Sequence, residues 1–513
     1  MPLRLNKIKK FYLYNSKSCA LKKFFLEIIV FLCGAVVMIF EIAGSRVLGP
    51  YLGTSIFIWT SLIGIILGSL SLGYWLGGIL ADRRPTFSML AWIILGAALM
   101  IGFTTLVKEM FLAYLPRLIA GLKWQSVIAS VFLFAPGSIL LGMVSPYAVR
   151  LKIRTLQTTG TTVGQLYAIS TVGSIAGTFA AGFFLIPAMG TTNILLTITI
   201  LLALLSALLF ISERRTSVST FPLLLLALVS YNLYAVNSAP KLFIDKDTQY
   251  NRVWVYDATD RITGRPIKFM RINNESSSAM FFDSDELVFP YTRSYLLAGH
   301  FTPGFKSMLV LGGAGYSFPT YCLGKYQDAT IDVVEIDPEL TRLAREHFRL
   351  KDDPRLKIYH EDARTFLNRS EKTYDVIVGD AYKSLYTIPW HLTTVEAAQK
   401  TYDMLNDGGC VLQNIISSIK GKASAFLQAE LATYRHVFSN VYVIAVDNPY
   451  DLTGVQSILL VAVKSETGLP KGEDDPYLAA LLLNDVTSLV DNDFPVLTDE
   501  FAPVDYYTNK AIQ

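Results

Sequence analysis

The stretch "MLVLGGAGYSFPT", residues 308–320, is an apolar run that breaks into a glycine turn. Four apolar residues followed by Gly312, Gly313 and Gly315 predict a buried strand. Its turn would let the backbone come close to a ligand. The sequence beyond it repeats this rhythm. "ATIDVVEIDPELTRLAREHF" (329–348), "LKIYHEDARTFL" (356–367), "YDVIVGDAY" (374–382) and "GGCVLQNI" (408–415) set strand-like runs against helical patterns or turns. Strands alternating with helices predict a parallel, doubly wound α/β sheet of Rossmann-like type. Such a sheet binds its ligand off the carboxyl ends of its strands.

Acids stand at those ends. Glu335 lies 20 residues beyond Gly315, at the end of the second strand, where a carboxylate can accept both hydroxyls of a ribose. Asp362 ends the third strand, placed to accept from an adenine amino group, and Asp380 ends the fourth, beside the ligand's reactive end. Each acid could instead cap the helix that follows it, but three at consecutive strand ends favour a binding site. Phe318 occupies the position where a dinucleotide fingerprint needs its third glycine. No basic cluster near the turn would neutralise a pyrophosphate. A phosphate-free nucleoside is therefore expected, and S-adenosylmethionine or its decarboxylated form fits.

Upstream, "NRVWVYD", "IKFMRI" and "SAMFFD" predict a small β region over 241–300, ahead of the nucleoside-binding domain at 301–513. Before that the composition changes. Only 17% of the 513 residues are charged, mean hydropathy is +0.39, and the apolar share is concentrated in the first half. Long apolar runs at about 24–45, 54–80, 88–107, 126–147, 163–187 and 191–211 predict membrane spans, with a weaker seventh at about 219–236. These form a transmembrane domain of six to seven helices over 24–237. The piece 109–122, which carries Arg117, reads as an interfacial helix. A basic N-terminus (1–23) and the loops "DRRP", "VRLKIR" and "SERR" predict an integral membrane protein with its N-terminus in the cytoplasm. The seventh run, weakened by Pro222, Ser230 and Asn232, is expected not to cross fully, which places the soluble half in the cytoplasm too, where nucleotide cofactors are kept. Small residues four apart in "GIILG" (64–68), "GYWLG" (73–77) and "GSIAG" (173–177) predict close helix packing. Glu41 and Arg46 lie near the end of the first span, at the interface or in a functional role.

The net charge of +3 gives no reason to expect nucleic acid as a partner. Four scattered cysteines and five histidines without metal-ligand spacing predict neither a disulfide framework nor a metal site. The expected partners are a small-molecule substrate delivered from the membrane, the lipid bilayer and a second copy of the chain.

Over roughly 241–465 the sequence resembles the spermidine synthases (polyamine aminopropyltransferases). With its apolar half, it is similar to membrane proteins that fuse a transporter-like domain to such a synthase. The segment 40–83 and the motifs "VVEIDPEL", "EDARTFL" and "YDVIVGDAY…IPWHLTT" carry the likeness. The resemblance implies that Gly312, Gly313, Gly315, Glu335, Asp362, Ala363 and Asn251 bind the nucleoside, Glu335 through its ribose. It implies that Asp380 acts as the base on an attacking amine, with Tyr382 beside it in the catalytic set, and that Tyr250, Tyr291 and Lys383 face the acceptor. Gly315 and Lys383 stand where the synthases carry acids that grip amines. Tyr250–Asn251 and Phe289–Pro290–Tyr291 replace their Tyr-Gln and Tyr-His-Glu runs. The expected function is a membrane-embedded transferase of the aminopropyl type that does not act on putrescine. The alternatives are a lyase releasing methylthioadenosine by internal displacement, a methyltransferase, and a transporter that senses a polyamine or nucleoside.

Overall fold

The computed structural model describes residues 2–153, 159–213, 222, 243–273, 275–381, 388–465, 472–491 and 493–509. The chain divides into two compact units between Pro240 and Lys241, with the short segment 50–56 grouping with the second.

In the first unit, six helices are long and apolar enough to cross a membrane: Phe24–Leu52, Ile56–Arg83, Phe87–Leu118, Leu122–Lys152, Thr159–Ala188 and Thr191–Ser212. They coincide with the six strong apolar runs, while the weaker run at 219–236 falls outside the described residues but for Pro222. One expectation fails. Residues 109–118 are not an interfacial helix but the continuation of Phe87–Leu118. The Lys108–Glu109 pair that interrupts the hydropathy does not end the helix, because Lys108 is buried and donates from Nζ to Thr192 Oγ1 at 2.7 Å. A paired cation costs far less inside a helical bundle than a bare one.

Small residues set the helix contacts. A Cβ on Gly173 would stand 2.1 Å from Phe31 O, and one on Gly77 would stand 2.7 Å from Met143 Cα. Gly177 and Gly73 meet backbone as closely, so "GYWLG" and "GSIAG" are packing motifs. "GIILG" is not: neither Gly64 nor Gly68 has anything within 4 Å of its Cβ position. Side-chain hydrogen bonds add to the packing, Thr104 Oγ1 to Leu133 O (2.6 Å) and Ser206 Oγ to Ala91 O (2.8 Å). Gly173→Leu is expected to lower the melting temperature of the detergent-solubilised protein, by overpacking worth about 1–3 kcal/mol or more. Gly64→Leu should leave it unchanged. Equal effects of the two substitutions would refute the packing argument.

The second unit has two sheets. Strands β1 (Ile244–Asp247), β2 (Arg252–Thr259), β3 (Pro266–Ile272) and β4 (Glu275–Phe281) form an antiparallel meander. Their alternating burial puts Val253, Val255, Met270 and Ile272 into a core shared with the larger sheet. That sheet contains β5 (Ser307–Leu311), β6 (Thr330–Val334), β7 (Leu356–Tyr359), β8 (Tyr374–Gly379), β9 (Leu405–Ser417), β10 (Asn440–Ala445) and β11 (Gln456–Val463). Its order is β10-β11-β9-β8-β5-β6-β7. Pairs among β5 to β9 are parallel, as expected, but the sheet as a whole is mixed, since β11 runs antiparallel between β9 and β10. The connection from β10 to β11, residues 446–455, is too short for the crossover that a parallel neighbour needs.

The chain leaves β5 for β6 on one side and comes back to β8 on the other. This reversal opens a crevice above the carboxyl ends of β5 and β8. "LGGAG" leads out of β5 at that point, and Asp380 follows β8.

Candidate active site

The crevice opens into a cavity of about 650 Å³, within the range of ligand sites. Its acids are Glu275, Glu335, Glu361, Asp362, Asp380 and Asp447, together with Asp505, and no Lys or Arg lines it among the described residues. His391 is its basic side chain. Ile336, Ala363, Ile388 and Leu392 supply an apolar wall.

The glycine turn is built for close approach. Gly312 has φ +100°, a region open to glycine, and a Cβ there would fall 2.4 Å from the carbonyl oxygen of Asp380. The turn is tied down by Glu335, whose Oε2 accepts the backbone N–H groups of Gly313 (2.9 Å) and Ala314 (3.0 Å). Oε1 accepts the N–H of Asp337 at 2.9 Å. A carboxylate offers about four acceptor positions, so one, on Oε1, is left for a ligand. The expectation that Glu335 accepts both ribose hydroxyls is therefore narrowed to one, unless the turn gives up an N–H. Burial pushes the Glu335 carboxyl up, while the three N–H donors pull it down.

Asp362 caps the helix that follows it and also lines the cavity. Its Oδ1 accepts from Thr365 N (3.0 Å) at the start of the helix Ala363–Arg369. Oδ2 lies 3.4 Å from His391 Nε2. Asp380 is held by its backbone, which donates to Leu311 O at 2.8 Å. Its side chain opens onto the cavity between Tyr295, Glu335 and Asn414. Burial, reinforced by the Glu335 charge, pushes its carboxyl up to about 7, against the pull of Tyr295 and Asn414. A carboxyl that titrates near neutrality is suited to exchanging protons.

The other expected residues divide. Gly312, Ala363, Asn251 and Tyr291 line the cavity. Asn251 is buried and largely engaged, donating to Asp337 Oδ2 (3.1 Å) and accepting from Asn273 Nδ2 (3.0 Å), so it joins the small sheet to the loop after β6. Tyr291 donates to Ser277 O at 3.0 Å and stacks on Phe289. Gly313, Gly315 and Tyr250 do not line the cavity. Gly315 faces the small sheet, where a Cβ would stand 2.6 Å from Ser278 Cβ, so this backbone leaves no room for an acid there. Tyr382 and Lys383 lie outside the described residues. The sequence reading missed Glu275, Glu361 and Asp447. Asp447 carried a usable signal, an acid just beyond the carboxyl end of β10, which runs parallel to β9.

Comparison with known proteins bears on the same region. Residues 293–467 match the spermine/spermidine synthase domain. A polyamine aminopropyltransferase of Vibrio vulnificus is 32% identical over 159 residues, 30% of this chain and 51% of that one, so the chain spans about half of it. Polyamine aminopropyltransferase 1 of Streptomyces coelicolor is 25% identical over 385 residues, 70% of this chain and 69% of that protein. This alignment is longer than the sequence beyond Pro240, so it extends into the apolar half. Among solved structures, a probable spermidine synthase from Corynebacterium glutamicum is 25% identical, with a TM-score of 0.41, covering 48% of this chain and 87% of that one. The synthase-domain match begins just after Tyr291 and encloses Gly312, Glu335, Asp362 and Asp380.

Proposed function

We propose that this protein is an aminopropyltransferase-type enzyme whose synthase domain is carried by a membrane-embedded helical unit, with the basic N-terminus on the cytoplasmic side. Its donor would be decarboxylated S-adenosylmethionine and its acceptor an amine. The carrying observation is a cavity lined by acids and by no Lys or Arg among the described residues. Such a lining suits a sulfonium nucleoside and an amine, both cationic, and would repel a phosphate. The matches to polyamine aminopropyltransferases support the same reading.

An ammonium has no lone pair, so the acceptor must lose a proton before it can attack. In this proposal Asp380 takes that proton, and the free nitrogen attacks the propyl carbon next to sulfur. A C–N bond forms as the C–S bond breaks, its electron pair stays on sulfur, and neutral methylthioadenosine leaves. Glu335 and Asp362 hold the ribose and the adenine while Ile336, Ala363 and Ile388 pack against the base. Proximity and a positioned base are the two sources of acceleration.

Mass spectrometry of the nucleoside products tests the assignment. The purified protein, given decarboxylated S-adenosylmethionine and a set of amines, is expected to release methylthioadenosine only when an amine is present, in equal amount with an aminopropylated product. S-adenosylhomocysteine from S-adenosylmethionine, or methylthioadenosine without any acceptor, would refute aminopropyl transfer.

A further inference from the structure

Glu335 and Asp362 follow β6 and β7 at one edge of the large sheet, and Asp447 follows β10 at the other, yet all three line the same cavity. Asp380, after β8, lies between them. The reaction outlined above assigns the first two acids to the nucleoside and Asp380 to the reacting amine. It makes no use of Asp447. The register of the strands fixes how far away that acid stands. Gly379 pairs with Gln413, so Asp380 and Asn414 are level one residue further on, and Asn414 hydrogen-bonds to Asp380. Two residues along β9 from Asn414, Ile416 pairs with Ser457 of β11. Ser457 N in turn donates to Asp447 Oδ2 at 2.9 Å. Strands lie about 4.8 Å apart and rise about 3.3 Å per residue, so two strand steps and two residues put the Asp447 carboxylate about 12 Å from Asp380. Asn414, Ile416 and Ser457 line the cavity along this path, with Phe289 and Pro290. The one backbone N–H leaves Asp447 with acceptor positions to spare, since a carboxylate has about four.

We propose that Asp447 receives the far ammonium of the acceptor while the near nitrogen stands at Asp380, so that the acceptor is a long, linear polyamine. The inference rests on the reading of this cavity as an amine-accepting site. A zigzag of bonds near 1.5 Å at tetrahedral angles advances about 1.25 Å per bond, so nine bonds reach about 11 Å and five reach about 6 Å. Nine bonds separate the end nitrogens of an eight-carbon diamine, and also those of a triamine with three- and four-carbon spacers. Five separate those of a four-carbon diamine, which can therefore engage one of the two acids but not both. The far nitrogen is charged at neutral pH and takes a charge-assisted hydrogen bond from the carboxylate of Asp447. The methylenes between lie along Ile416.

Calorimetry on the protein saturated with methylthioadenosine, which requires no turnover, reads the affinity for linear diamines of three to ten carbons. Affinity is expected to peak near eight carbons, at least about 10-fold above the four-carbon diamine, the low end for a hydrogen bond to a charged group. Octylamine, equal in length but without the second charge, should bind more weakly than the eight-carbon diamine by the same factor. Asp447→Asn should weaken the eight-carbon diamine about 10-fold to 150-fold and so abolish the peak. Asp447→Glu, which keeps the charge, should retain the preference for long diamines. Equal affinity for the four- and eight-carbon diamines, or a peak that survives in Asp447→Asn, would overturn the proposal. The length profile of the wild type decides the matter if the variant does not fold. If that profile is as expected but no aminopropylated product forms, the proposed function fails and the amine site stands. Transfer to the four-carbon diamine as efficient as to the long one would refute the length assignment and leave the proposed function in place.

Discussion

Asp380→Asn is expected to lower kcat by about 100-fold to 10,000-fold while nucleoside affinity stays within about two-fold, since an amide cannot take up a proton near neutral pH. The separation is expected because Glu335 and Asp362, and not Asp380, are assigned to the ribose and adenine. The pH dependence has a definite sign. With the carboxyl pushed up to about 7, mainly by burial, the base is ionised above that pH and protonated below it. In the free enzyme kcat/KM should therefore fall about ten-fold per unit below pH 7 and level off above it. Bound sulfonium favours the ionised form, so the limb in kcat should lie lower.

The same shift makes a statement about stability. The unfolded carboxyl titrates near 3.8 and the folded one near 7, so between those values the folded state holds more protons. Stability contributed by this group thus falls as pH rises from about 4 to 7, by roughly 4 kcal/mol in all at ~1.4 kcal/mol per unit. Asp380→Asn should consequently melt higher than the wild type at pH 8, with the difference vanishing toward pH 4. A variant that is inactive but no more stable at pH 8 would show that Asp380 is not the desolvated acid described here. One that remains active would remove it from the chemistry.

The second large effect is expected at Glu335. Glu335→Ala removes the ligand's acceptor and the three N–H contacts that hold Gly313, Ala314 and Asp337. Hydrogen bonds to a charged group are worth about 1.5–3 kcal/mol each, so nucleoside affinity should fall at least roughly 10-fold to 150-fold. The melting temperature should fall with it. Glu335→Gln separates the roles. Its amide keeps one oxygen, which can serve the loop or the ligand but not both, so calorimetry with methylthioadenosine should place its affinity between wild type and Glu335→Ala. Wild-type affinity in a folded Glu335→Ala protein would exclude the residue from the nucleoside site.

Local patterns made much of this legible in the sequence. The six helices long enough to cross a membrane could be read because each is a long apolar run. The strands β5 to β9 could be read because short, largely apolar runs alternate with turns and helical patterns, several of them ending near a glycine or an acid. Glu335, Asp362 and Asp380 followed from the rule that a doubly wound sheet presents its ligand-facing groups at strand ends. The break at residue 109 misled because hydropathy counts Lys108 as a charge, whereas a partner 84 positions further on, Thr192, receives it.

What the sequence determined by itself was the division into an apolar and an α/β half, the alternation that sets the parallel core, and the acids at its edge. These depend on near neighbours and on periodicity. Tertiary structure alone decided which small residues pack, since Gly64 and Gly173 stand in the same kind of motif and only Gly173 meets a neighbouring backbone. It also decided that Glu335 has already spent most of its acceptors on backbone N–H groups, two of them in the turn, that Gly315 faces Ser278, and that Glu275 and Asp447 join the cavity. The proton affinity of Asp380 belongs with these. It is fixed by the density of atoms around the carboxylate and by the charge of Glu335, which stands 45 positions away in the sequence and beside it in the fold.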